Sequence, residues 1–307
     1  MTSKISFILF SLAIVGIAKG VPAENEKKIA APTFELIQPK DNKTIKIDDN
    51  KVPNGEEERI LLGYPAPKDY FPFVVSLQIP LKNGGMHKFC GGSIINDRLI
   101  LTAAHCFDPL PSTIVYVKAG STNAFDPKGQ TREVARIIKH PCYNQTNVYG
   151  IPALHDIAIL VLSERLQISP SVQTISLATD LHDVEEHKRG DVLGWGATHS
   201  TDHTQSSKEL LFMIINVISL EKCAQYFKVH SNVLCVSNGD NSDSGPCVGD
   251  SGGPFVQKVG GKHILAGLTS YGSKTCGKIP TVYTRVSKYL SFIRDVFTDN
   301  LIIPVCA

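Results

Sequence analysis

From residue 60 onward, apolar residues gather in short β-rich runs separated by turns. Phe73-Val74-Val75-Ser76-Leu77-Gln78-Ile79, Ile114-Val115-Tyr116-Val117, Ile157 to Leu162 and Val282-Tyr283-Thr284-Arg285-Val286 are dense in β-branched and aromatic side chains, which predicts strands. Glycine and proline punctuate the chain between them. Helical spacing emerges only near the end, with Tyr289, Leu290, Phe292, Ile293, Val296 and Phe297. Many short strands and one terminal helix predict an all-β barrel or sandwich. No repeat of solenoid length runs through the sequence.

The first 59 residues are patterned differently. Lys4 precedes an almost unbroken apolar run from Ile5 to Ile17, and Ala18-Lys19-Gly20 then offers small residues to a signal peptidase. The run is shorter than the roughly 20 residues a membrane-crossing helix needs. Residues 1–20 therefore read as a secretion signal rather than an anchor. Residues 21–59 carry Lys27-Lys28, Asp48-Asp49 and Glu56-Glu57-Glu58, with prolines, few aromatics and no cysteine. Such a stretch buries little surface and reads as an extended propeptide. It ends at Arg59, before Ile60-Leu61-Leu62-Gly63, a basic-then-apolar junction that a trypsin-like protease could cut.

Composition narrows the remaining classes. With 42% hydrophobic and 20% charged residues, the 307-residue chain can build a proper core. Its formal charge of +2, without basic runs interleaved with aromatics, gives no nucleic-acid surface. Secretion makes the eight cysteines disulfide candidates, and the lack of any Cys-x-x-Cys pair weakens a zinc reading. His182, Glu185 and His187 read as a solvated loop ahead of a metal site. Asn42-Lys43-Thr44 and Asn144-Gln145-Thr146 are glycosylation sequons, the first inside the propeptide.

Three segments carry candidate chemistry. Ser251 sits in Gly249-Asp250-Ser251-Gly252-Gly253-Pro254, which alone also fits the Gly-x-Ser-x-Gly elbow of α/β-hydrolases. Those enzymes place their histidine after the serine, and here only His263 follows, one loop away. Upstream stand Thr102-Ala103-Ala104-His105-Cys106 and His155-Asp156-Ile157-Ala158-Ile159-Leu160, so the order is His, Asp, Ser. A serine hydroxyl needs a base to take its proton, the imidazole needs a carboxylate to orient it, and the oxyanion needs backbone donors in a glycine-rich turn.

Leu101 to Cys106, Asp156 to Leu160, Gly194-Trp195-Gly196 and Gly249 to Pro254 resemble, in order, four hallmark segments of chymotrypsin-like serine proteases. The resemblance covers residues 60 to about 297. It implies two six-stranded antiparallel β-barrels with a C-terminal helix: barrel one over about 60–178, barrel two over about 179–307, and a cleft between them. By resemblance, Ser251 is nucleophile, His105 general base and then acid, and Asp156 the orienting carboxylate. Gly249 and Ser251 N–H groups form the oxyanion hole, and Ser270 lies beside the triad aspartate. Arg59, Ile60 and Asp250 form the activation set: cleavage frees the Ile60 amine, which pairs with Asp250. Leu62 departs from the family's glycine there.

The resemblance further implies disulfides Cys90–Cys106, Cys223–Cys235 and Cys247–Cys276. Cys142 and Cys306 are left to pair with each other, an intermolecular bridge or free thiols being the alternatives. Gly245 matches the pocket floor, and Gly272 and Thr281 match its walls, which implies uncharged P1 residues such as Leu, Met, Val or Ala. Asp243 keeps a tryptic P1 Arg/Lys alternative open. Ser121 falls where calcium-binding trypsins carry glutamate, so no calcium and no cofactor are expected. The expected protein is thus a secreted, extracellular, monomeric zymogen with protein or peptide substrates, an activating trypsin-like protease and room for protein inhibitors, and without membrane partners. An inactive homologue serving as a binding module is the other reading.

Overall fold

The computed structural model describes residues 63–108, 114–144, 154–239 and 242–298. Arg59, Ile60, Asn42, Cys306 and the segments expected to be signal and propeptide lie outside them. After a two-residue strand, β1 (Tyr64–Pro65), come β2 (Val74–Pro80), β3 (Met86–Asn96), β4 (Leu99–Thr102), β5 (Tyr116–Ala119), β6 (Gln130–Lys139) and β7 (Ala158–Leu162). These six longer strands close a barrel in the order β2-β3-β4-β7-β6-β5, every pairing antiparallel. Alternation explains the closure: Val75 and Leu77 turn inward to meet Ile94, Ile100, Val117 and Leu160.

The second barrel repeats the plan. After the two-residue β8 (Ser176–Leu177) come β9 (Arg189–Gly194), β10 (Leu211–Ile218), β11 (Val233–Ser237), β12 (Pro254–Val259), β13 (Lys262–Tyr271) and β14 (Thr281–Arg285). The ring runs β10-β11-β14-β13-β12-β9 and closes through β9 on β10. In β10, Leu211, Met213, Ile215 and Val217 are buried while Ile214 is about half exposed, the period-two signature of a one-sided strand. The short strands β1 and β8 flank this ring, on β10 and β13. The chain thus folds as two six-stranded antiparallel barrels with few helices.

Between the barrels, Phe73, Leu101 and Ile157 pack with Leu193, Trp195 and Leu268. Helix α1 (Leu220–Cys223) is a single turn capped by Ser219, whose side chain accepts from Lys222 N–H. The terminal helix α2 (Leu290–Phe297) buries Phe292, Ile293 and Val296, continuing the face begun by Tyr289. Burying each such side chain contributes about 1.5–3 kcal/mol, enough to seat a short helix that would not form alone. Phe297 falls off that face and stays exposed.

Among the described residues, three disulfides brace the loops: Cys90–Cys106, Cys223–Cys235 and Cys247–Cys276, with Cα separations of 6.3, 6.2 and 5.4 Å. Asn144 is exposed, its N–H on Leu154 O at 3.3 Å.

Candidate active site

His105 rides a single 3₁₀ turn, Ala104–Phe107, that leaves the end of β4 and is tied back to β3 by Cys90–Cys106. Asp156 stands just before β7. The preceding His155 takes a left-handed backbone (φ 53°) and closes a tight turn, with Ile157 N–H on its carbonyl at 2.8 Å. That conformation is uncommon for histidine and costs on the order of 1 kcal/mol. Packing holds it: the His155 ring stacks on His140 at 4.8 Å and faces Tyr289.

This turn drives the Asp156 side chain inward, where it is 2% exposed. Its Oδ1 accepts the backbone N–H of His105 (2.9 Å), and its Oδ2 lies 2.7 Å from His105 Nδ1. Ser270 on β13 donates its hydroxyl to the same Oδ2 at 2.6 Å, and Thr284 on β14 donates to the Asp156 carbonyl at 2.7 Å. A first-barrel aspartate is therefore held by two second-barrel hydroxyls, one on its carboxylate and one on its backbone carbonyl. Burial pushes the His105 pKa down, but the charge and hydrogen bond of Asp156, aided by Asp108, outweigh it and raise the imidazole above its ordinary value.

Ser251 heads the turn that enters β12. Both barrels grip it: Gly91 N–H donates to the Ser251 carbonyl (2.8 Å), and Gly252 N–H donates to Thr269 O (2.8 Å). Gly252 (φ 72°) is pressed against barrel one so closely that a Cβ would stand 2.1 Å from Thr102 Oγ1 and 3.0 Å from Ala103 N. The turn thus sits directly on the segment leading into His105. Gly249 also needs the left-handed region, at φ 96°. Among the described residues, neither the Gly249 nor the Ser251 N–H has a hydrogen-bond acceptor, and Ser251 Oγ has no partner. Two unengaged donors beside a free hydroxyl suit a developing oxyanion.

Asp250 points the other way, into the interior. Its Oδ1 accepts from Gly196 N–H (2.7 Å) and its Oδ2 from Cys247 N–H (2.9 Å). Burial nonetheless pushes its pKa up to about 6.

Two chain segments tied by Cys247–Cys276 face each other beside this turn. A Cβ on Gly245 would meet Gly277 Cα at 3.5 Å, and one on Gly272 would meet Thr281 Oγ1 at 3.5 Å. Thr281 is buried against that wall. Asp243 does not present a free carboxylate: it pairs with Lys278 Nζ and is more than half exposed. Of the loop residues considered for metal, Glu185 pairs with Lys188 at 3.5 Å. Two cysteine-histidine groupings, Cys90-His105-Cys106 and His203-Cys247-Cys276, draw their sulfurs from disulfides and so have no thiolate to offer. Ser121 Oγ donates to Asp126 at 3.1 Å.

Two features escaped the sequence reading. One is the His140–His155–Tyr289 stack that braces Asp156. The other is Lys88 on β3, whose Nζ donates to Trp195 O at 2.6 Å. Both are contacts between distant chain segments with no local motif, although Lys88 two places before Cys90 is an odd cation in a strand about to be buried.

Two such barrels, with the Ser251 turn seated against the segment that leads into His105, define a serine endopeptidase of the two-barrel class. The family model described as Trypsin matches residues 60–293, and the chain belongs to that family. It is 30% identical to chymotrypsin-like elastase family member 1 of Macaca fascicularis, over 79% of this chain and 91% of that one. It is 34% identical to coagulation factor IX of Cavia porcellus (78% and 82%) and 28% identical to CLIP domain-containing serine protease B4 of Anopheles gambiae (78% and 70%). Among solved structures, neuropsin, a serine protease expressed in the limbic system of mouse brain, matches with a TM-score of 0.65 at 27% identity, over 76% of this chain and 98% of that one.

Proposed function

We propose that this chain is a secreted zymogen whose cleavage at Arg59–Ile60 yields an endopeptidase acting through an acyl-enzyme on Ser251. Its main support is the grip of Asp156 on His105, through ring nitrogen and backbone N–H together, with Ser270 sharing the same carboxylate. That arrangement keeps the Nδ1 proton in place and leaves Nε2 as the acceptor. Ser251 Oγ bonds the substrate carbonyl carbon while its proton passes to Nε2, and the oxyanion takes the Gly249 and Ser251 N–H groups. The imidazolium then gives its proton to the leaving amine as the C–N bond breaks. Water attacks the ester, again losing a proton to His105, and the proton returns to Ser251 Oγ.

Activation follows from Asp250. A buried carboxylate with a raised pKa favours any cation that can reach it. The Ile60 amine released by cleavage is that cation, and pairing fixes the Gly249–Ser251 turn. The apolar run at residues 5–17 and the disulfides support an oxidising, extracellular destination. Among the described residues no helix is long and apolar enough to cross a membrane.

For P1 we favour uncharged side chains. Gly245 brings no charge to the floor, Thr281 narrows the wall beside Gly272, and the Asp243 carboxylate is already engaged by Lys278. Trypsin treatment, N-terminal sequencing for Ile60, phosphonate labelling and peptide profiling test the whole scheme. Labelling at Ser251 that speeds up strongly on cleavage, with Leu or Ala at P1, is expected. A cleaved, folded protein that takes no label would instead be a binding module, and dominant cleavage after Arg would reassign the pocket.

A further inference from the structure

Asp250 is enclosed by glycines: a Cβ on Gly194 would stand 2.0 Å from its Oδ1, and one on Gly196 would stand 2.5 Å from its Cγ. Among the described residues, the cation whose charge reaches it is Lys88, from the opposite barrel. The two are joined through one peptide group. Lys88 Nζ donates to the Trp195 carbonyl at 2.6 Å, and the N–H of that same peptide, on Gly196, donates to Asp250 Oδ1 at 2.7 Å. With an O···N span of about 2.3 Å across the peptide, the ammonium lies at most about 7.6 Å from the carboxylate oxygen. An ammonium on the carbonyl and a carboxylate on the N–H polarise the peptide in the same sense, so each hydrogen bond strengthens the other.

We propose that Lys88 is a positioning residue: acting through the Trp195–Gly196 peptide, its ammonium steadies Asp250 as a carboxylate and so holds the Gly249–Ser251 turn in place before any new N-terminus exists. This rests on the roles of Ser251 and Asp250 proposed above. Its consequence is a precursor with measurable reactivity at Ser251 while Lys88 is charged. Burial, opposed by Asp250, brings Lys88 down to about 8, so the charge is present below that pH and lost above it. Tyr283 of β14 also feels Asp250, but burial first and then that charge keep its phenol protonated. The His105 pKa is raised by Asp156, but its limb has the opposite sense: the neutral imidazole that takes the Ser251 proton increases as pH rises, whereas the Lys88 charge decreases.

A purely structural Lys88 would matter only as a hydrogen-bond donor to Trp195 between the barrels. Charge and hydrogen bond separate in three full-length, disulfide-intact precursors made uncleavable by Arg59→Gln: Lys88 retained, K88Q and K88R. Each is reacted with a diphenyl phosphonate probe from pH 7 to 9.5, alongside trypsin-processed wild type and S251A. The expected result is slow labelling of the Lys88 precursor that falls above about pH 8. K88R should label within about twofold at pH 7.5 and lose that fall, because guanidinium stays charged. K88Q, which keeps a donor but no charge, should label at least tenfold more slowly. Equal labelling of K88Q and the Lys88 precursor, or no precursor labelling beside a processed enzyme that labels, overturns the role of Lys88 alone. Processed wild type that takes no label overturns the protease reading, and this inference with it. Should K88Q melt far below the others, the K88R profile decides: an unchanged alkaline fall refutes the proposal.

Discussion

Replacing Asp250 with asparagine separates the electrostatics of this site from its packing. Burial moves the carboxyl pKa from 3.8 up to about 6. At 1.36 kcal/mol per unit, ionising it in the folded precursor costs up to about 3 kcal/mol that the unfolded chain does not incur. The folded pKa is the higher one, so this stability is fully present below about pH 4 and is lost as pH rises through 6. D250N has no such titration. Its amide, however, can accept only one of the two backbone N–H groups that Asp250 receives from Gly196 and Cys247, and it sets a donor against the other. That costs about 1–3 kcal/mol at every pH. In the uncleavable Arg59→Gln background, D250N should therefore be about 1–3 kcal/mol less stable at pH 4 and equal or more stable at pH 7. Urea unfolding with disulfides intact, read by the fluorescence of the single tryptophan, buried Trp195, measures both values. Apart from Lys88, whose pKa Asp250 itself holds up, the other groups titrate alike in both proteins, so a stability difference that stays constant from pH 4 to 7 would refute the reasoning.

Four shorter predictions concern the remaining parts. D156N should lower kcat of the processed enzyme on the order of 10⁴-fold with KM little changed, because the amide no longer secures the Nδ1 proton; steady-state kinetics on a Leu peptide checks it. The acid limb of kcat/KM should have its midpoint above 6.5, since Asp156 holds His105 above its usual value despite burial, and a midpoint at or below 6.5 contradicts that balance. Gly252→Ala should cost more than about 3 kcal/mol and lower the melting temperature, because the new methyl meets Thr102 Oγ1 at 2.1 Å on a φ of 72°. Removing Cys247–Cys276 by double serine substitution opens a 29-residue loop and should cost about 3–4 kcal/mol by loop entropy, together with a raised KM.

Local patterning carried much of the architecture. β2, β7 and β14 are dense in β-branched and aromatic residues, and α2 shows its apolar face at helical spacing, so propensity and burial agree there. The strand β6, Gln130–Lys139, is less legible: none of its residues is fully buried, and its membership in the barrel comes from pairing with β5 and β7. The residues put forward for the chemistry, His105, Asp156 and Ser251, were readable because each sits in a short motif and the three follow a telling order.

What the chain could not announce is how those motifs are held. Ser270 reaches Asp156 across 114 residues of sequence, Lys88 reaches Trp195 across 107, and Asp243 is engaged by Lys278. Side-chain chemistry and turn geometry are properties of a few consecutive residues, and composition records them. Contact between two closed barrels depends on how both sheets coil and which faces they bury, and that is settled only when the whole chain packs.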